Sequence, residues 1–96
     1  MTYKRIVYVR RVYVIELDNP MTVYVGETGL PVEERFEKHR IGYKSSRHVK
    51  RAKHPILRPD LYEHLPTYNT VKESRTAESR LAKLLQKKGF TVYGGH

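Results

Sequence analysis

The sequence predicts an α+β fold in which helices flank a small antiparallel β-sheet of about three strands. Valine, isoleucine and tyrosine crowd the start of the chain, and a helical apolar periodicity runs through its last part. Glycine or proline stands at most of the boundaries between these segments.

The first run, Arg5 to Leu17, holds Ile6, Val7, Tyr8, Val9, Val12, Tyr13, Val14, Ile15 and Leu17, a density of β-branched and aromatic side chains that favours strand. Arg10-Arg11 interrupts it as an exposed bend or bulge. Asp18-Asn19-Pro20 supplies turn chemistry, and Thr22 to Val25 forms the second arm of a hairpin. Gly26 to Gly29 break the pattern before a helix from Pro31 to Arg40. Pro31 suits its first turn, Glu33 and Glu34 its positive end, and Lys38 and Arg40 its negative end.

Periodicity is poor between Gly42 and Pro66. Ser46 to Lys53 can form a short helix and Ile56-Leu57 a brief strand, with Pro55, Pro59 and Pro66 limiting anything longer. A long helix follows from Thr70 to Lys88, with Val71, Ala77, Leu81, Leu84 and Leu85 as its apolar stripe. Thr70 and Glu73 form a capping box at its start, and Gly89 ends it. Phe90 to Tyr93 return as a last strand.

The chain of 96 residues fits one domain, 1–96, with no room for a separate recognition domain. Its 19 lysines and arginines against 10 acidic residues leave a formal charge of +9, a field that attracts polyanions. Charge and size favour nucleic acid as the partner, while charge alone does not choose between DNA, RNA, an anionic membrane surface and an acidic protein. The absence of cysteine excludes disulfides, thiolate metal sites and a cysteine nucleophile, and fits a cytoplasmic protein. Neither a signal-peptide pattern nor an apolar run long enough to span a bilayer is present, so no membrane association is expected. Monomer and weak dimer both remain open.

Chemistry-bearing residues are few. Tyr13 and Tyr24 lie on the two arms of the predicted hairpin, which can bring their hydroxyls together, although tyrosine favours sheets in any case. Arg35 and His39 are i,i+4 neighbours beside Val32 and Phe36, on the helix face that should turn inward; a snorkelling arginine is the plainer explanation. Glu78 precedes Leu81, Ala82 and Leu85 by three, four and seven positions, at the margin of the apolar stripe, where a carboxylate needs a cation such as Arg35 or a metal ion. Glu73 competes with it, but the capping box already explains Glu73. The segment Gly26-Glu27-Thr28-Gly29-Leu30 lacks the spacing and the Gly-Lys ending of a phosphate-binding P-loop. Lys44, Arg47, Lys50, Arg51 and Lys53 cluster in the irregular stretch, either as a solvated loop or as a track for a nucleic-acid backbone.

Taken in order, Arg11-Val12-Tyr13, Tyr24-Val25-Gly26, Arg35, His39 and Glu78 resemble the motifs of the GIY-YIG endonuclease family, over roughly Val7 to Lys88. Arg11 stands where the family has the first glycine and Val25 where it usually has isoleucine, and no asparagine follows the last helix. The resemblance implies a divalent-metal-dependent endonuclease that hydrolyses phosphodiester bonds, with DNA favoured over RNA. It makes Glu78 the one protein ligand of Mg²⁺ or Mn²⁺, Tyr13 the general base or the residue that orients the attacking water, and Arg35 the grip on the scissile phosphate. Tyr24 and His39 would order the water and proton network. The alternative is a catalytically inactive nucleic-acid-binding module on the same scaffold, against which the complete set of five residues argues.

Overall fold

A computed structural model describes residues 9–95, and the expected strand residues Arg5 to Tyr8 lie outside that range. The hairpin consists of β1 (Arg11–Leu17) and β2 (Thr22–Thr28), antiparallel, with Tyr13 opposite Gly26, Val14 opposite Val25 and Ile15 opposite Tyr24. Next come α1 (Val32–Arg40), α2 (Arg47–Arg51), β3 (Pro55–Leu57), a 3₁₀ turn at Pro59–Leu61, α3 (Val71–Lys87) and β4 (Thr91–Gly94).

These strands make one four-stranded sheet in the order β3-β1-β2-β4, which corrects the expected antiparallel sheet of about three strands. β3 runs antiparallel to β1, whereas β4 runs parallel to β2. The difference has a topological cause. A hairpin turn can only reverse the chain, but the long connection from β2 through α3 lets β4 re-enter beside β2 in the same direction.

The pleat divides the side chains. Val12, Val14, Val23 and Val25 pack on one face against Leu81, Ala82 and Leu85 of α3. Tyr13, Ile15 and Leu17 pack on the other against Val32 of α1 and Val49 of α2. Burial of each of the valine, leucine and isoleucine side chains here contributes about 2 kcal/mol. The stripe on α3 differs from the expected one: Val71 and Leu84 are exposed, and Ser74 and Glu78 are buried in line with Leu81, Ala82 and Leu85. Thr70 caps the helix as its sequence implies, accepting from the Glu73 N–H and donating to the Glu73 carboxylate.

Local polar contacts hold α2 in place. Ser46 Oγ accepts from the His48 N–H at the start of the helix. The Asp18 carboxylate, in the β1–β2 turn, accepts from the backbone N–H groups of Lys53 and His54 just after its end. Gly26 does not end β2, as its glycine pair had suggested, because pairing with β1 continues to Thr28. On its outer side β2 pairs with β4 only as far as Val25, so the edge from Gly26 onward carries no strand among the described residues.

Candidate active site

Tyr13, Tyr24 and His39 form one aromatic cluster. Ring centroids lie 6.4 Å apart for the two tyrosines, 5.9 Å for Tyr13 and His39, and 5.6 Å for Tyr24 and His39. The hairpin register supplies the first pair, since Tyr13 and Tyr24 point to the same face from adjacent strands. α1 supplies the histidine, and its face with Val32 and His39 is buried against the sheet.

Tyr13 Oη lies 2.8 Å from His39 Nε2, and His39 Nδ1 lies 3.3 Å from Ser45 Oγ. The Ser45 hydroxyl spends its single proton on the Ser46 carbonyl. His39 therefore donates from Nδ1–H to Ser45, and its bare Nε2 accepts the Tyr13 proton. Burial, with the positive Arg35 nearby, pushes the His39 pKa down from 6.5 to about 4, so the ring is neutral at physiological pH. Burial raises the Tyr13 phenol above its ordinary range, Tyr24 and Glu78 raise it further, and Arg35 opposes them. Tyr24 is raised by burial and then by Glu78.

This protonation state has a consequence for stability. Between pH 6.5 and about 4 the unfolded chain binds a proton that native His39 refuses, so stability falls as pH drops through that window. The loss reaches roughly 2–3 kcal/mol. Urea midpoints at pH 7 and pH 4.5 should show it in the native protein and show a smaller fall in His39→Gln, whose amide does not titrate. Equal falls in both would remove His39 as the cause.

A shallow cavity of about 330 Å³ lies at the uncovered edge of β2, lined by Tyr24, Gly26, Glu27, Arg75 and Glu78. Tyr24 and Glu27 project from opposite faces of the sheet and still share it, which is possible only at an edge. Gly26 makes this arrangement sterically possible. A Cβ there would stand 2.5 Å from both Cζ and Oη of Tyr13, a ring with no room to retreat at 1% exposure. Gly26→Ala is accordingly expected to cost about 1–3 kcal/mol, readable by chemical denaturation, and to displace the Tyr13 hydroxyl.

Glu78 is 4% exposed, and its Oε1 accepts from the Gly95 N–H at 3.1 Å. That N–H is shared with the Val25 carbonyl at 3.0 Å, so the end of β4 fixes the carboxylate against the edge of β2. The second carboxylate in the cavity is Glu27, not Glu73. Glu27 is bound by the Arg10 guanidinium at 2.7 Å and by Ser74 Oγ at 2.8 Å. No group of three histidine, aspartate or glutamate side chains converges among the described residues. A hard oxygen donor of the Glu78 type, beside a cavity with space for solvent, fits a cation such as Mg²⁺ that keeps most of its waters.

Arg35, half-buried on α1, donates to the carbonyls of Tyr43 at 3.3 Å and Lys44 at 2.8 Å and so ties down the α1–α2 loop. Its charge acts on both tyrosines, lowering each phenol against the stronger effect of burial. Tyr13, Tyr24 and His39 thus form one cluster, Tyr24 and Glu78 share the cavity at the edge of β2, and Arg35 and Glu78 lie close enough to act electrostatically on both tyrosines. Lys44, Arg47, Lys50, Arg51 and Lys53 all expose their side chains on the loop, on α2 and just beyond it. Sequence reasoning missed Ser45, Gly95, Arg75 and the Arg10–Glu27–Ser74 network. Among these only Glu27, directly after the Tyr24-Val25-Gly26 motif, offered a signal in the sequence.

No family model matches the chain, and no curated protein or solved structure does. Among the described residues no helix is long and apolar enough to cross a membrane.

Proposed function

We propose that the protein is a GIY-YIG-like, divalent-metal-dependent endonuclease that hydrolyses phosphodiester bonds, with DNA as the favoured substrate. The observation that carries this reading is the hydrogen bond from Tyr13 to the bare Nε2 of a neutral, buried His39, set beside Glu78 and Arg35. A sheet needs no such arrangement for its stability. A buried tyrosine hydroxyl needs a hydrogen-bond partner, and the partner here is a ring nitrogen able to take its proton.

The arrangement answers a difficulty in using tyrosine as a base. A phenol raised above its normal range is not ionised at neutral pH, so Tyr13 cannot wait as a phenolate. It can act as a relay. Tyr13 is 1% exposed, so the relay requires that substrate binding admit the attacking water to its hydroxyl. As that water attacks phosphorus, its proton passes to Tyr13 Oη while the Tyr13 proton passes to His39 Nε2, and Ser45 holds Nδ1–H in place throughout. An approaching phosphate offsets the field of Arg35 and makes His39 a better acceptor. Arg35 has N–H groups beyond those bonded to Tyr43 and Lys44 and can direct them at the phosphate oxygens. Glu78 would hold Mg²⁺ or Mn²⁺, which when bound supplies charge stabilisation to the leaving oxygen.

The exposed basic residues Lys44, Arg47, Lys50, Arg51 and Lys53 would carry the nucleic-acid backbone toward this centre. Neutralising Arg47, Lys50 and Arg51 together should weaken binding to all sequences alike and reduce the slope of log affinity against log salt by roughly 3. Binding isotherms at several salt concentrations measure that slope; an unchanged slope would place the binding face elsewhere.

A further inference from the structure

The Tyr93 ring of β4 stacks on the His48 ring of α2, with centroids 4.1 Å apart and planes within 18° of parallel. The pair sits at the surface, with Tyr93 38% exposed. Tyr93 is also the register partner of Tyr24 across the parallel β2–β4 pair, so the two side chains leave the same face of adjacent strands. An aromatic row therefore runs from Tyr13 through Tyr24 to Tyr93 and His48, from a buried end to an exposed one.

The helix that supplies His48 and the loop before it are rich in exposed cations. His48 lies between Arg47 and Lys50 on α2, whose side chains are exposed. Gly42 in the α1–α2 loop lies against the Lys50 stem, and the next residue, Tyr43, has the Lys38 ammonium 4.7 Å and the Lys44 ammonium 5.7 Å from its ring centroid. A half-exposed aromatic stack on a surface segment that also carries exposed ammonium and guanidinium groups offers a π-face for a base, with charges for phosphates along the same segment.

We infer that the Tyr93–His48 stack is a platform for an unpaired nucleobase, so that the substrate is single-stranded or carries an unpaired nucleotide next to the phosphate that is cut. A paired base in an intact duplex keeps its faces stacked on its neighbours and cannot use such a platform. The inference rests on the hydrolytic reading of the Tyr13 cluster for its biological meaning. Its geometry is separate, because Tyr93 and His48 take no part in the proton relay.

Equilibrium binding in EDTA tests it without any need for cleavage, so a failure here is distinct from a failure of the hydrolytic reading. Wild type, Tyr93→Phe and Tyr93→Leu are titrated with a short single-stranded oligonucleotide and with a blunt duplex of the same sequence. Tyr93→Phe should match wild type on both. Tyr93→Leu should bind the single strand about tenfold more weakly and the duplex within about twofold of wild type. Equal losses on both ligands, or no loss on the single strand, would overturn the platform. Because the Tyr93→Leu substitution can disturb β4 itself, unmodified protein is also titrated with an oligonucleotide whose bases are replaced by abasic sites. It should bind about tenfold more weakly than the base-bearing strand; equal affinity would mean that only phosphates are held.

Discussion

Tyr13→Phe is expected to lower single-turnover cleavage by about 10²–10⁴-fold while leaving DNA affinity in EDTA unchanged. Phenylalanine fills the same space between β1 and α1, so packing is kept, and only the hydroxyl that donates to His39 Nε2 at 2.8 Å is lost. The variant leaves that nitrogen buried without a donor, a cost of about 1–3 kcal/mol that a melting curve will register. A purely structural role for the pair predicts that same melting shift and no change in the rate of cleavage by the folded fraction. Measuring rate, affinity and melting on one preparation separates the two roles.

Glu78→Gln is expected to reduce cleavage by about 10³-fold or more. Glutamine retains an oxygen to accept from the Gly95 N–H, so the end of β4 stays anchored to α3. It removes the negative charge that a hard cation requires. A second readout does not depend on turnover: Mg²⁺ should raise the melting temperature of the wild type and not that of the variant. If Glu78→Gln cuts at the native rate, the ligand is elsewhere, and Glu27 in the same cavity becomes the carboxylate to replace.

Much of the scaffold was legible because local chemistry dictates it. The β-branched run ending at Leu17, the Asp18-Asn19-Pro20 turn and the Thr70–Glu73 cap each specify their element within a few residues. The parallel placement of β4 was not legible, since the sequence of Thr91 to Gly94 carries a strand preference but not the neighbour it will choose. The exposure of Val71 and Leu84 shows the same limit. Apolar residues near the helical period indicate a stripe, but on α3 the buried face is shared by Leu81, Ala82 and Leu85 with Ser74 and Glu78, whose contacts to Glu27 and Gly95 only the fold creates. Candidate site residues were legible where polarity disagreed with position, as with His39 and Glu78. Ser45 was not, because its role is to fix a histidine tautomer through a contact that only folding creates.

Cleavage itself is the most direct test of the hydrolytic reading. Labelled single-stranded, duplex and branched DNA, together with RNA, are incubated with wild type and Tyr13→Phe in Mg²⁺, Mn²⁺ or EDTA, and the products are resolved by length. The expected result is metal-dependent cutting by wild type, abolished by EDTA and nearly lost in Tyr13→Phe, with substrates that carry unpaired nucleotides cut fastest. Binding without cutting on every substrate in both metals would contradict it and leave a nucleic-acid-binding module built on the same sheet.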